Sequence, residues 1–320
     1  MINSKDNNLL ILLGPTGVGK TDISIKLAKK ILDIEIISAD SMQIYRYMDI
    51  GTAKPAKNIL KTIKHHMIDI VEPSDNFDVT QYSKLTVDLI LDIFKRGKIP
   101  MLTGGSGLYI SSIINPIFAG PAKDSEYRKI LEEESRIQSN RYLHNKLSKI
   151  DPVSASKIEP NDFRRIIRAL EVYKSTGEPI SYLQKKASTK NTKFNYQIIG
   201  FKRDRENLYR RINQRVDKMI RYGFIEEVKT LRKMGFKEDL NSMQSLGYKQ
   251  ISKYLNGAYS KEEAINLIKI ETRHYAKRQM TWFKNKIENI QWIDLDEYDA
   301  DEVISKIKNK IDNKCRGSIN

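Results

Sequence analysis

Three hundred and twenty residues, 40% hydrophobic and 30% charged with a mean hydropathy of -0.52, describe a globular chain with room for two packed units and exclude the disordered and fibrous classes. The net charge of +16 is uneven: +2 over residues 1–118, +6 over 119–198, +10 over 199–290 and −2 over 291–320. A polyanionic partner meeting residues 119–290 is one reading of that excess, and compositional drift in a Lys-rich chain is the other.

In chain order, Leu9–Leu13 is a compact apolar run, Glu35–Ser38 a second, Met67–Ile70 a third and Ile99–Thr103 a fourth. Between them Ile23, Leu27 and Ile31 recur at helical spacing, as do Tyr82, Leu85, Leu89 and Ile93. Strands alternating with helices predict parallel βαβ units. The first run is far shorter than the roughly 20 residues of a membrane span, and it leads straight into a glycine motif, so a cytoplasmic chain is expected. A stretch of about 80 residues, broken by Pro116, Pro121, Pro152, Pro160 and Pro179, reads as helices inserted before a fifth strand at Tyr196–Phe201. After it, Leu208, Ile212, Val216 and Met219 mark a long helix, and further helices are expected over 243–255, 261–285 and 300–312. The expected fold is therefore α/β: a P-loop NTPase-like parallel-sheet core of residues 1–118 and 199–320, interrupted by an all-helical insertion at 119–198.

Gly14-Pro15-Thr16-Gly17-Val18-Gly19-Lys20-Thr21 fits G-x-x-x-x-G-K-[ST] and lies between an apolar strand and an amphipathic helix, as a phosphate-binding loop requires. Glycines let the backbone curl so that its amides and the helix N-terminus converge on an anion. Lys20 then sets a point charge against the terminal phosphate, and the Thr21 hydroxyl can ligate Mg²⁺. The loop fixes a phosphate or diphosphate without naming the reaction: a nucleotide or small-molecule kinase, an ATP-driven motor and a transferase that releases diphosphate all remain open. Motors normally carry a longer apolar strand ending in acidic residues than Met67-Ile68-Asp69. Arg164-Arg165-Ile166-Ile167-Arg168 could serve a kinase as an arginine-bearing lid.

Two more motifs lie at expected strand ends, where an open parallel sheet builds its site. Asp40-Ser41-Met42-Gln43-Ile44-Tyr45 follows the second strand, with Met48-Asp49-Ile50-Gly51-Thr52-Ala53-Lys54-Pro55 behind it, and Gly104-Gly105-Ser106-Gly107-Leu108-Tyr109 follows the fourth. Pro160-Asn161-Asp162 runs into Arg164–Leu170, and Gln244-Ser245-Leu246-Gly247-Tyr248-Lys249 precedes Lys277-Arg278-Gln279-Met280-Thr281-Trp282-Phe283-Lys284. Together with the loop, these motifs closely resemble the tRNA dimethylallyltransferase (isopentenyltransferase) family, in order from residue 11 to 284. The resemblance implies transfer of a dimethylallyl group from dimethylallyl diphosphate to the exocyclic N6 amine of the adenine just 3′ of a tRNA anticodon, position 37, with release of diphosphate. It also implies Mg²⁺ as cofactor and the tRNA anticodon stem-loop as partner. The chain is expected to act as a monomer with no membrane contact, and a P-loop kinase or a non-catalytic RNA-binding ATPase is the rival.

An aryl amine's lone pair is delocalised into its ring, so attack is helped by a base that takes a proton as the new C–N bond forms. Asp40, projected from a strand end toward the phosphate loop, is the candidate, and the resemblance puts the same residue in that role; a cap or an outer Mg²⁺ partner is its other reading. Diphosphate departure needs positive charge and donors, supplied by Lys20, the loop amides, Mg²⁺ on Thr21 and, by resemblance, Arg215. Ser106 stands where the family commonly has Thr, and its hydroxyl can still reach the adenine or the aspartate. Arg211, Arg215 and Lys218 share one helix face at i, i+4, i+7; such a stripe is more often solvated, and the resemblance singles out Arg215.

Loop bases of RNA are read by stacking and edge hydrogen bonds, while phosphates attract Lys and Arg. Near the phosphate loop, Asp40, Ser41, Met42, Gln43 and Ser106 are expected to contact the tRNA. In the insertion the expected RNA contacts are Arg128, Arg164, Arg165, Ile166, Ile167 and Arg168. Toward the C-terminus they are Gln244, Gly247, Tyr248 and Lys249, then Lys277, Arg278, Gln279, Trp282 and Lys284. The tRNA is expected in a cleft between insertion and core. His65 and His66 read as structural, and Asp294–Glu302 reads as a solvated approach to the last helix. Cys315, the one cysteine, allows neither an internal disulfide nor a Cys-pair zinc site.

Overall fold

The computed structural model describes residues 8–115, 118–188 and 194–316. Pro116 and the side chain of Cys315 lie outside the described residues. Strand β1 (Asn8–Leu13) is buried on both faces, Leu10 and Leu12 toward one and Leu9, Ile11 and Leu13 toward the other, which is why it reads as an unbroken apolar run. The chain continues through α1 (Lys20–Lys30), β2 (Ile34–Ala39), α2 (Lys57–Thr62), β3 (His65–His66), α3 (Val79–Lys95), β4 (Ile99–Gly104) and α4 (Gly107–Ile114). A separate unit, residues 115–192, holds α5 (Ser125–Gln138), α6 (Asn140–Ile150), α7 (Pro152–Ala155), α8 (Phe163–Thr176) and α9 (Ile180–Ser188). The first unit then resumes with β5 (Asn195–Lys202), α10 (Arg205–Arg221), α11 (Phe224–Lys233), α12 (Tyr248–Leu255), α13 (Lys261–Lys286), β6 (Gln291–Asp294) and α14 (Ala300–Arg316).

All strand pairings are parallel, in the order β3-β2-β4-β1-β5-β6. The register pairs Leu13 with Gly104 and Ala39 with Gly104, so the loops leaving β1, β2 and β4 emerge side by side at one edge of the sheet. Leu27, Ile212 and Ile307 cover one face of the sheet, and Ile90, Ile110 and Phe283 cover the other. Each such fully buried aliphatic or aromatic side chain contributes about 1.5–3 kcal/mol relative to exposure. A third cluster, with Met48, Phe224, Tyr248 and Ile268, ties the loop after β2 to the C-terminal helices. In the insertion, Leu131, Leu143, Leu147, Ile166 and Leu170 form a separate core. The expected prolines mark helix starts there: Asp151 caps α7 with Pro152 in its first turn, and Asp162, two residues after Pro160, caps α8.

Several expectations shift. Met67–Ile70 is not a strand. Met67 and Asp69 take φ of +61° and +55°, and the Asp69 and Ile70 amides donate to Gln43 O and Ile44 O instead of to β2. The segment thus braces the loop after β2, and only His65 and His66 extend the sheet. The helix expected from 243 begins at Tyr248, because Gly247 turns the chain at φ +93°. β6 and α11 went unforeseen, and Asp294, read as the start of the acidic approach, closes β6. The boundaries read at 119 and 198 move to 115 and 192, since residues 195–198 are the first half of β5.

Candidate active site

Between Leu13 and Lys20 the chain makes a turn that its glycines permit. Gly17 and Gly19 hold φ of +80° and +116°, and a Cβ on Gly17 would meet Ile212 Cγ1 at 2.8 Å. No side chain caps α1 at Gly19, so its first-turn amides remain for an anion. Two arginines hold the loop from outside: Arg211 Nε donates to Gly17 O at 3.0 Å, and Arg203 Nε donates to Val18 O at 2.8 Å. Lys20 Nζ donates to Gly14 O at 2.7 Å and to Pro15 O at 2.9 Å, which leaves one of its three donors for a ligand. Burial, then the neighbouring Arg215, pulls the Lys20 pKa from 10.5 to about 7, with Asp40 pushing the other way.

Lys20, Thr21, Asp40, Arg211, Arg215 and Lys218 line one cavity of about 390 Å³ at the C-terminal ends of the strands. The Arg211–Arg215–Lys218 stripe thus faces this cavity, where a solvated face was the commoner reading. Burial holds the Arg215 guanidinium below its ordinary pKa, while Asp40 and Asp22 act against that. Asp40 Oδ1 accepts the Met42 amide at 2.9 Å, and its other oxygen has no hydrogen-bond partner among the described residues. The neighbouring loops are tied together: Ser106 Oγ accepts the Ser41 amide at 3.0 Å, and the Ser106 amide donates to Ala39 O at 3.0 Å. Gln43 spends its side chain inside the same wall, accepting from Ser38 Oγ at 3.0 Å and donating to Thr52 O at 3.3 Å.

An apolar annex of about 260 Å³ adjoins the cavity, lined by Met42, Val216, Met219, Phe224, Leu246 and Ile268 and sharing Thr16, Asp40, Arg215 and Tyr275 with it. Its Gly51–Thr52 wall is held by Glu227, whose carboxylate accepts the amides of Asp49, Ile50 and Gly51 at 2.9, 2.6 and 3.0 Å and the Tyr248 hydroxyl at 2.6 Å. Sequence reasoning passed over Tyr275 and Glu227. The spacing of Tyr275 and Gln279, i and i+4 on one helix, was the available signal for the first.

The structure places other expected RNA contacts differently. Ile166 and Ile167 are 0% and 3% exposed in the insertion's core, so their side chains cannot meet a base. Arg128 and Arg168 both pair with the buried carboxylate of Glu171 at 2.6 Å, a structural commitment. Tyr248 is buried on Glu227, and Gly247 is buried beside it. Gln244 Nε2 donates to Glu238 O at 2.6 Å. Gln279 is buried, spent on Thr16 and Gly105. Arg164, Arg165, Lys249, Lys277, Arg278 and Lys284 stand exposed, and Arg165 lies 3.6 Å from Asp162. Trp282 is 37% exposed, its Nε1 donating to Ser111 Oγ at 3.3 Å, whereas Phe283 is core. His65 Nδ1 bonds Ile63 O and His66 Nε2 bonds Glu35, both at 2.7 Å, and His65 also lines the cavity.

Among the described residues no group of three or more His, Cys, Asp or Glu side chains converges on a metal position. A magnesium ion carried on substrate phosphates needs only one or two protein oxygens, and Thr21, Asp22 and Asp40 line the cavity. The donor set therefore fits a phosphate-borne magnesium and no all-protein cage.

The model of the family described as IPP transferase matches residues 43–286. The chain belongs to the IPP transferase family. Relatives named tRNA dimethylallyltransferase include that of Acetivibrio thermocellus, 49% identical over 301 residues that cover 94% of this chain and 96% of that protein. Another, from Alkaliphilus oremlandii, is 50% identical over 299 residues, covering 93% and 95%. Among solved structures, the full-length tRNA isopentenylpyrophosphate transferase of Bacillus halodurans matches with a TM-score of 0.70 and 42% identity, covering 98% of this chain and all of that one. A eukaryotic dimethylallyltransferase acting on tRNA matches with a TM-score of 0.82 and 29% identity, covering 96% and 80%. The parallel sheet with its phosphate loop is thus the P-loop-like core of the IPP transferase family.

Proposed function

We propose that this chain transfers a dimethylallyl group from dimethylallyl diphosphate to N6 of the adenine at tRNA position 37. The observation that carries the reading is the joining of a cationic cavity, with Lys20 and Arg215, to an apolar annex at Asp40. A diphosphate suits the first and a short alkyl chain the second, whereas a kinase reading leaves the annex without a ligand. N6 attacks C1 of the donor, the C1–O bond breaks, and the amine proton passes to the free oxygen of Asp40. The departing charge is met by the loop amides, Lys20 and Arg215. Ser106, tied to Ser41, is assigned to holding the adenine beside Asp40. Mg²⁺, held by Thr21, would supply further positive charge on the diphosphate. A target base must leave the anticodon-loop stack at a cost of a few kcal/mol. Exposed Arg164, Arg165, Lys249, Lys277, Arg278, Trp282 and Lys284 are assigned to the RNA. No helix among the described residues is long and apolar enough to cross a membrane, and a tRNA substrate puts the activity in the cytoplasm. Mass analysis of nucleosides from tRNA incubated with protein and donor tests the reaction: a prenylated adenosine is expected, and its absence overturns the reading.

Two further outcomes are expected. Diphosphate binding favours charged Lys20, whose free pKa is about 7, so binding takes up a proton above that pH. Donor affinity should fall as pH rises from 7 to 9, by at most tenfold per unit, and Lys20→Arg should flatten the dependence; a titration series across pH measures it. Stem-loop binding should weaken steeply with salt, because residues 119–290 hold +16 of the charge and each neutralised phosphate releases counterions. Replacing Arg164, Arg165 and Lys277 with Ala should lower the log–log salt slope by about 2 to 3 while donor affinity stays near wild type. Superimposable slopes would assign the basic excess to composition.

A further inference from the structure

Gln279 projects from α13 into the seam between the phosphate loop and the loop after β4, and it is 6% exposed. Its Oε1 accepts the Thr16 amide at 2.8 Å, and its Nε2 donates to Gly105 O at 2.8 Å. Both ends of the amide are thereby spent, one on each loop. The seam is closed enough that a Cβ on Gly105 would lie 2.3 Å from Gln279 Nε2. Next to Gly105, Ser106 accepts the Ser41 amide and donates its own amide to Ala39 O, so the path from Thr16 runs through one side chain to the residues flanking Asp40. One turn earlier on the helix, Tyr275 lines the cavity, and burial, with Asp40 adding to it, raises its pKa to about 12. A neutral donor–acceptor group is required at this point, since one partner is an N–H and the other a C=O, and no charged side chain of that length satisfies both.

We propose that Gln279 is a positioning residue that fixes the distance between the diphosphate loop and the loops carrying Asp40 and Ser106, rather than a reader of RNA. The inference rests on the transferase reading of that cavity. Its energetic logic is that of a near-attack geometry: a displacement of about 1 Å between donor and acceptor costs on the order of 10²-fold in rate while leaving each substrate's own contacts intact.

The test uses two variants of the full chain. Gln279→Met keeps length and removes both hydrogen bonds. Its single-turnover rate at saturating donor and stem-loop is expected to fall about 10- to 100-fold with stem-loop Kd within threefold of wild type. Gln279→Glu keeps the acceptor toward Thr16 but turns a carboxylate oxygen on Gly105 O. Burial and the facing Gly105 O raise the pKa of that carboxyl, so lowering the pH protonates it and restores the donor, and the variant-to-wild-type rate ratio should climb as pH falls, which a merely damaged fold would not do. Exchange of the Thr16 amide in free protein reads the brace without chemistry, and it should quicken at least tenfold in the Met variant and not in the Glu variant. A Met variant with wild-type rate, unchanged Thr16 exchange and tenfold weaker stem-loop binding overturns the proposal and returns Gln279 to RNA contact. Quickened exchange in a protein whose wild type transfers no prenyl group would sustain the brace and sink the transferase reading.

Discussion

Asp40→Asn is expected to lower the single-turnover rate by about 10²- to 10⁴-fold while stem-loop affinity stays within a few-fold of wild type. Asn keeps the oxygen that accepts the Met42 amide at 2.9 Å, so the turn after β2 survives, and what disappears is the proposed proton acceptor and its charge. That charge has a second duty. It acts against burial to keep Lys20 protonated and offsets the desolvation of the Arg215 guanidinium, so its loss should shift the pH dependence of donor binding to lower pH. Measuring the rate at saturating donor separates the two effects, because only the base role then remains. A variant that turns over near the wild-type rate under those conditions would remove Asp40 from proton transfer and leave it as a counter-ion to the diphosphate site.

The parts of this site that sequence made legible are those where local chemistry and position coincide. Glycines at 14, 17 and 19 with Lys20 can serve few purposes other than wrapping an anion, and Asp40 follows a strand whose six residues are all buried. Pattern fails where a residue's partner lies far along the chain. Gln279 sits among basic residues as an RNA contact would, yet its partners, Thr16 and Gly105, are 263 and 174 residues away. Ile166 and Ile167 share a motif with exposed arginines, and helical geometry turns them to the opposite face. Met67–Ile70 has strand composition, but its amides are claimed by Gln43 and Ile44. Residues 291–294 hold only Trp292 and Ile293 between polar neighbours, too little alternation to announce β6. The charged stripe on α10 illustrates the same limit: periodicity shows that Arg211, Arg215 and Lys218 share a face and is silent on whether that face meets water or a cavity.

Glu171 carries the second large expected effect, and it decides between two readings of the arginines in the insertion. The carboxylate is fully buried. Burial alone would raise its pKa, but hydrogen bonds from Arg128, Arg168 and the Asp124 amide outweigh that and bring it from 4.5 down to about 2. Removing the Glu171 charge deprives Arg128 and Arg168 of their carboxylate while they stay 28% and 33% exposed and so partly hydrated, which costs about 1.5–3 kcal/mol. Glu171→Gln should therefore loosen the insertion by that order, read as faster amide exchange along α8 in the full chain. The sign with pH follows from the lowered pKa: the stabilisation is complete above 4.5, falls away as pH drops toward 2, and is absent from the variant throughout. If Arg128 and Arg168 served RNA instead, replacing either with Ala would weaken stem-loop binding without changing α8 exchange. The structural reading expects the reverse order of effects, with exchange quickened first and any loss of binding following from a loosened helix that also carries the exposed Arg164 and Arg165.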